Sequence, residues 1–367
     1  METVRTRSFA RAGLLGNPSD GYFGKTLSFT FTQFGVELAM TESSRIRFQQ
    51  GEVDDATFAS MDEMSRNLRL YGYYGGIRLL KATAKRFFDY SREQGIELPR
   101  RNFTVEYKIN IPRLVGLSGS SAICSAMLKA LMRFYGVEIP LEVQPTICLE
   151  AERDELGINC GFQDRVIQIY NGLVFMDFDK SFVAAHNHGR YERLYPQISD
   201  PCSPFPLPSS LHLYVAYDAN RAEESGKAHR KVKRMFEEKN ADVVAAMSEF
   251  ADIAQQGRDL LVTADLEPET RNLKLATLIN ANFDLRDRIF NVAEENRRMV
   301  MTARRSGASA KFAGSGGAIV GTYEDEEQLR RLTSDLASIG STTFVPKVAT
   351  AADETAEIAE FGGWRNS

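Results

Sequence analysis

Gly116-Leu117-Ser118-Gly119-Ser120-Ser121-Ala122 is the stretch on which the reading of this chain turns. It follows Ile111-Pro112-Arg113-Leu114-Val115 and runs into Ala122 to Tyr135, where Ile123, Met127, Leu131 and Phe134 recur at helical spacing and Gly136 closes the run. The two glycines permit close backbone approach. The first turn of the helix they precede offers unpaired amides at the positive end of its dipole. That combination suits a polyphosphate anion. The hydroxyls of Ser120 and Ser121 can reach a phosphate oxygen or a magnesium ion. Either serine can equally be a plain helix cap, and the lysine of a Walker loop is missing.

Toward the C-terminus, Ser309-Ala310-Lys311-Phe312-Ala313-Gly314-Ser315-Gly316-Gly317-Ala318 is a second glycine-rich turn, placed before an apolar strand. Glycines so concentrated cost conformational entropy on folding, which is expected where the backbone must come close to something. A tight turn without a ligand is the alternative. Lys311 adds a charge for phosphates if it faces them. Toward the N-terminus, Ser8 to Gly16 reads as a strand and Asn17-Pro18-Ser19-Asp20-Gly21 as the turn after it.

Further strands are expected at Leu27 to Thr32, Arg45 to Gln49, Thr104 to Ile109, Gly172 to Phe178, Leu211 to Tyr217, Gly314 to Tyr323 and Thr342 to Val348. Helices are expected within Met61 to Phe88, broken at Gly75-Gly76, and at Thr146 to Leu156, Phe162 to Tyr170, Glu223 to Arg304 and Glu324 to Ile339. Four prolines between Asp200 and Ser209 suit neither element and mark a boundary. The expected organisation is α+β in two domains, residues 1–205 and 206–350, with an acidic tail over 351–367.

At 367 residues, 43% hydrophobic and 26% charged, the chain has the composition of a soluble globular protein larger than one core usually organises. A net charge of −4 gives no basic excess for a nucleic-acid backbone, and no run approaches the roughly 20 apolar residues of a membrane span. A cytoplasmic protein with neither nucleic acid nor membrane as partner is expected. Cys124, Cys148, Cys160 and Cys202 match no metal or disulfide framework. Lys227 to Arg234 is a basic run of helical period, balanced by Glu223, Glu237 and Glu238, and reads as a solvated face. Tyr71, Tyr73 and Tyr74 either wall an adenine pocket or pack around the glycine break.

Arg11 to Asp20, Pro112 to Ala122 and Lys311 to Ala318, in that order and separation, resemble the three motifs of the GHMP kinase superfamily. The resemblance spans nearly the whole chain. It implies an N-terminal domain like ribosomal protein S5 domain 2, a ferredoxin-like C-terminal domain, and an active site between them that uses ATP and magnesium. Pro112, Gly116, Leu117, Ser118, Gly119, Ser120, Ser121 and Ala122, with Lys311, Gly314, Ser315, Gly316 and Gly317, then bind the nucleotide. Ser121 and Glu152 hold the metal. Asp164 is the base beside the cation Arg11, while Asn17, Ser19, Asp20, Tyr22 and Gln163 meet the sugar.

Each role has a plainer alternative. Glu152 lies in an acidic helix run, Asp164 can pair with a helix dipole, and Asp20 can close an Asx turn. The loop is one residue longer than the common G-L-G-S-S-A form, which is similar to kinases of anomeric sugar hydroxyls. Asn17 and Pro18 replace the acid and histidine of galactokinases. Gly72 to Gly76 with Arg78, Arg101 to Phe103 and Gln163 to Val166 carry the resemblance to the glucuronokinase family. The implied reaction makes glucuronate 1-phosphate from D-glucuronate, feeding UDP-glucuronate synthesis. Galacturonate, fucose and heptose kinases, or a sensor without activity, are the rivals. A uronic acid needs a cation for its carboxylate, and Arg78, Arg113 and Lys25 are the candidates.

Overall fold

The structure is a computed structural model that describes residues 3–49, 75–195, 211–219, 226–263, 265–350, 352, 353, 356 and 358. The tyrosine cluster at 71, 73 and 74, the proline-rich segment and Cys202 lie outside the described residues.

The first half is built on two long antiparallel strands, β1 (Thr3–Leu15) and β2 (Lys25–Ser43). In β2, Leu27, Phe29 and Phe31 alternate with Thr26, Ser28 and Thr30, the period of a strand covered on both faces, and all six are buried. Its run to Ser43, well past the expected Thr32, comes from its partners. β1 follows one edge, while β4 (Asn102–Ile109) and β5 (Leu173–Asp177) share the other. The short β3 (Arg47–Phe48) joins β4 in parallel, and β6 (Arg190–Tyr195) extends β5.

Helix α1 (Gly76–Glu93) starts at the glycine pair, with Tyr107 occupying the space where a side chain on Gly76 would sit. α2 (Gly119–Tyr135) follows the serine loop, and its Ala126 carbonyl accepts from the Thr6 hydroxyl of β1 at 2.8 Å. α3 (Gln144–Glu150) continues into a π turn, Ala151–Glu155, followed by α4 (Gln163–Tyr170) and the short α5 (Lys180–His186). α5 and β6 have no counterpart among the elements expected from the sequence.

The second half has β7 (Leu213–Tyr217), then α6 (Gly226–Glu237), α7 (Ala241–Val262), α8 (Pro268–Phe290) and α9 (Glu294–Arg305). They are followed by β8 (Lys311–Phe312), β9 (Ala318–Thr322), α10 (Glu326–Ala337) and β10 (Thr342–Phe344). The sheet order β10-β7-β9-β8, with every pairing antiparallel, is the split β-α-β-β-α-β pattern of a ferredoxin-like domain.

The strand expected over 342–348 is divided between the sheets. Residues 342–344 pair with β7, whereas Val348 bridges to Phe31, Thr32 donates to the Lys347 carbonyl and Ala349 donates to Thr30, both at 2.9 Å. One hydrophobic cluster runs through both halves, from Leu27 and Phe29 to Val215, Phe250 and Val320. In the C-terminal stretch, Ile358 is buried and its carbonyl accepts from Arg5.

Candidate active site

A cavity of about 490 Å³, within the usual size of a ligand site, lies where the serine loop, the 314–315 turn, the turn after β1 and α6 converge. Its centre is organised by Arg11, buried on β1. Its Nε and Nη2 hold the two carboxylate oxygens of Asp164 at 2.6 and 2.9 Å. Its Nη1 donates to the carbonyls of Gly116, at 2.6 Å, and Ala313, at 3.1 Å. One guanidinium thus joins all three sequence motifs to the acid.

Asp164 also accepts from the Ser118 hydroxyl at 2.5 Å. Burial pushes its carboxyl up, but the charges of Arg11 and Arg165 and the hydrogen bonds from Arg11 and Ser118 outweigh burial and hold it at about 2. Ser118 is left-handed at φ 63, and its hydroxyl is turned to Asp164 instead of capping α2. No side chain caps that helix from its N-cap position. The N-cap position falls on Ser118, so neither Ser120 nor Ser121 occupies it, and the first-turn amides remain for an anion.

Of the residues expected to bind the nucleotide, Pro112, Gly116, Leu117, Ser118, Gly119, Ser120, Gly314 and Ser315 line the cavity. Ser121 and Ala122 do not, because the helix turns both fully inward. The glycines of the third stretch are explained by another backbone. A Cβ on Gly116 would stand 2.5 Å from the Gly316 carbonyl oxygen, and one on Gly314 would strike the Gly116 carbonyl. The two loops lie against each other, so Gly316 and Gly317 shape the cradle without lining it.

Lys311 corrects an expectation. It is buried, and its Nζ donates to the Gly13 carbonyl at 2.6 Å, Asn17 Oδ1 at 2.5 Å and its neighbour's carbonyl at 2.8 Å. Burial pushes its pKa well down. It clamps the end of β1 and lies off the cavity wall. The cation that supports the third loop is Arg286 on α8, which donates to the Gly314 and Ser315 carbonyls at 2.8 and 2.7 Å.

Of the residues expected to meet the sugar, Asn17, Asp20, Tyr22 and Gln163 line the cavity. Ser19 does not; it is buried, and its hydroxyl ties the turn to the Lys25 carbonyl at 2.8 Å. Asp20 accepts from the Gln163 amide at the start of α4, at 3.1 Å. Burial, and then the nearby charge of Asp164, raise its pKa to about 6. Gln163 Oε1 is buried with no partner, an acceptor directed at nothing in the protein.

The expected metal ligands are both fully buried and stand one layer in from the wall. Glu152 lies beneath cavity-lining Arg165, whose Nε donates to Glu152 Oε2 at 2.7 Å and whose Nη2 donates to the same oxygen. Ser121 adjoins cavity-lining Ser120. Glu152 Oε1 and Ser121 Oγ are both buried without a hydrogen-bond partner. Two orphaned hard oxygens match the donor chemistry of magnesium. Among the described residues no cluster of three or more His, Cys, Asp or Glu could hold a metal.

A cation-clamped acid beside a glycine-serine loop at a helix start, in a cavity between a β-rich half and a ferredoxin-like half, is the architecture of a small-molecule kinase of the GHMP type. Residues 78–172 match the GHMP kinases N terminal domain. The chain is 40% identical to Glucuronokinase 1 of Arabidopsis thaliana, covering 94% of this chain and 92% of that protein. It is 43% identical to Probable glucuronokinase 2 of the same plant, over 86% and 82%. The fold matches Lactococcus lactis galactokinase complexed with galactose at 14% identity and a TM-score of 0.70, covering 95% of this chain and 94% of that one. The chain belongs to the glucuronokinase family of GHMP kinases.

Proposed function

We propose that the protein transfers the γ-phosphoryl group of ATP to the anomeric hydroxyl of D-glucuronate. The family sets the class of reaction, and the observation that carries the local mechanism is Arg11, which binds Asp164, the Gly116 loop and the Ala313 turn at once.

The nucleotide phosphates rest on the first-turn amides of α2, with the Ser120 hydroxyl on the wall beside them. The sugar lies toward Asp20, Tyr22 and Gln163. Asp20 as a carboxylate accepts hydrogen bonds from two sugar hydroxyls, and the Gln163 oxygen accepts one from a third. The anomeric oxygen forms its bond to the γ-phosphorus as the bond from that phosphorus to the bridging oxygen breaks, and the electron pair leaves with ADP. The proton of the anomeric hydroxyl passes to the Asp164 carboxylate.

A carboxyl held near 2 is a weak base. A hemiacetal hydroxyl is more acidic than an ordinary alcohol, so Asp164 serves mainly as a fixed, always-ionised acceptor that aims the nucleophile. Arg11 keeps it ionised and places positive charge next to the transferring group. The free oxygens of Ser121 and Glu152 would hold a magnesium ion, which would supply charge neutralisation on the nucleotide. The described cysteines are free thiols, which suits a cytoplasmic enzyme.

The test is ADP release with ATP, magnesium and a panel of glucuronate, galacturonate, galactose, fucose, a heptose phosphate and mevalonate. Glucuronate is expected to give the highest kcat/KM. Preference for a neutral sugar or mevalonate would overturn the substrate, and no release with any acceptor would overturn the kinase.

A further inference from the structure

We propose that Arg230 and Lys233, on one face of α6, bind the carboxylate that distinguishes a sugar acid from a neutral sugar; this rests on the reading of the substrate as a uronic acid. Both residues line the cavity. They stand three residues apart, so their side chains leave the same side of the helix. The next residue on that side, Phe236, meets Tyr22 edge to face with ring centroids 5.0 Å apart, and buried Val232 holds the helix to the core. The acidic neighbour on this face, Glu237, lies close enough to act electrostatically on the Tyr22 phenol. The basic face of α6 is thereby fixed over the turn that carries Asp20 and Tyr22, the sugar side of the cavity.

The other cavity-lining cations have assignments. Arg11 holds Asp164, Arg165 holds Glu152, and Arg286 holds the Gly314 and Ser315 carbonyls. Arg113 lies on the serine-loop side between Pro112 and Leu114. The remaining sequence candidates are off the wall: Lys25 donates to Gln255 at 2.8 Å, and Arg78 does not line the cavity. Arg230 and Lys233 have no hydrogen-bond or ion-pair partner among the described residues. Two cations of like sign held along one helix face, with no acid between them, are complementary to a single carboxylate. The guanidinium offers a two-pronged contact and the ammonium a point charge. A neutral hexose would leave both unmatched, which makes the pair a selective element. The run read in the sequence as a solvated face is exposed at Arg230, Lys231, Lys233 and Arg234, and two of these exposed cations border the cavity.

The same cations could instead meet nucleotide phosphate, and kinetics separate the two. Arg230→Gln and Lys233→Gln are expected each to lower kcat/KM for glucuronate by about ten- to a hundredfold with the KM for ATP unchanged. Glucuronamide, the same sugar without the charge, is expected to be a poor substrate of the wild type, and the double variant should lose the preference for acid over amide. Arg230→Lys should retain most of that preference. Arg234→Gln, altering an exposed residue paired at 3.8 Å with Glu238 off the cavity, should change nothing. A raised KM for ATP with the acid-to-amide ratio intact overturns the inference and leaves the glucuronate reading standing. If the wild type uses galacturonate instead, the substrate reading falls, and the inference is supported or overturned by the same ratio measured with galacturonate and its amide. A wild type that prefers the amide overturns both.

Discussion

The guanidinium of Arg11 grips both carboxylate oxygens of Asp164 while its remaining nitrogen reaches the Gly116 and Ala313 carbonyls. The acid is therefore registered against the phosphate cradle by a single rigid fork. Asp164→Asn removes the proton acceptor and keeps the shape, so turnover should fall by about a hundred- to ten-thousandfold with nucleotide affinity nearly unchanged. Steady-state kinetics beside a fluorescent-nucleotide titration decide this, and unchanged turnover removes Asp164 from the mechanism.

Asp20 and Asp164 share the cavity wall but titrate far apart, at about 6 and about 2. The sugar-binding form of Asp20 is the carboxylate, so kcat/KM for the sugar should decline as pH drops through about 6, with Asp164 still ionised throughout. Asp20→Asn should abolish that acidic limb and lower the plateau. Since the folded-state pKa of Asp20 is raised, its contribution to stability is present at low pH and lost as pH rises from about 4 through 6. The thermal midpoint of Asp20→Asn relative to the wild type should accordingly be more favourable at pH 8 than at pH 4. A limb that survives in the variant assigns it elsewhere.

Arg165 and Glu152 form a fully buried ion pair with one carboxylate oxygen left over. Arg165→Met strands a buried charge and should cost about 3 to 5 kcal/mol in denaturant unfolding, much of it recovered in the double variant with Glu152→Gln. Glu152→Gln alone should shift the magnesium titration of activity to higher concentration. An unmoved titration rules Glu152 out as a ligand.

Lys311 separates a structural from a nucleotide role. Lys311→Met leaves the Gly13 carbonyl and Asn17 Oδ1 without their donor, which should lower stability by about 1 to 3 kcal/mol with little change in the KM for ATP. A stable variant with a much higher KM for ATP would return this lysine to the phosphates.

What could be read from the chain alone followed from how local each feature is. The serine loop and its helix, Asp164 at the start of α4 and Asp20 in the turn after β1 are each contained in a few consecutive residues, and the structure brings them together at one cavity. Lys311 misled because adjacency to a glycine turn does not say which side of a strand a side chain leaves. In β8 it points to Gly13 while Phe312 packs on Phe283. Arg286, Arg230 and Lys233 act across sequence separations that no local pattern reports, and their contribution depends on the rotational setting of α8 against the Gly314 turn and of α6 against the turn after β1. Ser118 was legible as part of a phosphate loop but not as the donor to Asp164, since that contact spans 46 residues.

The return of residues 347–349 to the edge of β2 means that the chain crosses between the sheets a second time, over a hydrophobic cluster common to both halves. Each half keeps a smaller cluster of its own, around Phe283 and Phe312 in the second and around Val166 and Phe178 in the first, but the most extensive cluster belongs to both. Heating should produce one cooperative transition with calorimetric and van't Hoff enthalpies in agreement, and a ligand bound on either wall of the cavity should raise the melting temperature of the whole chain.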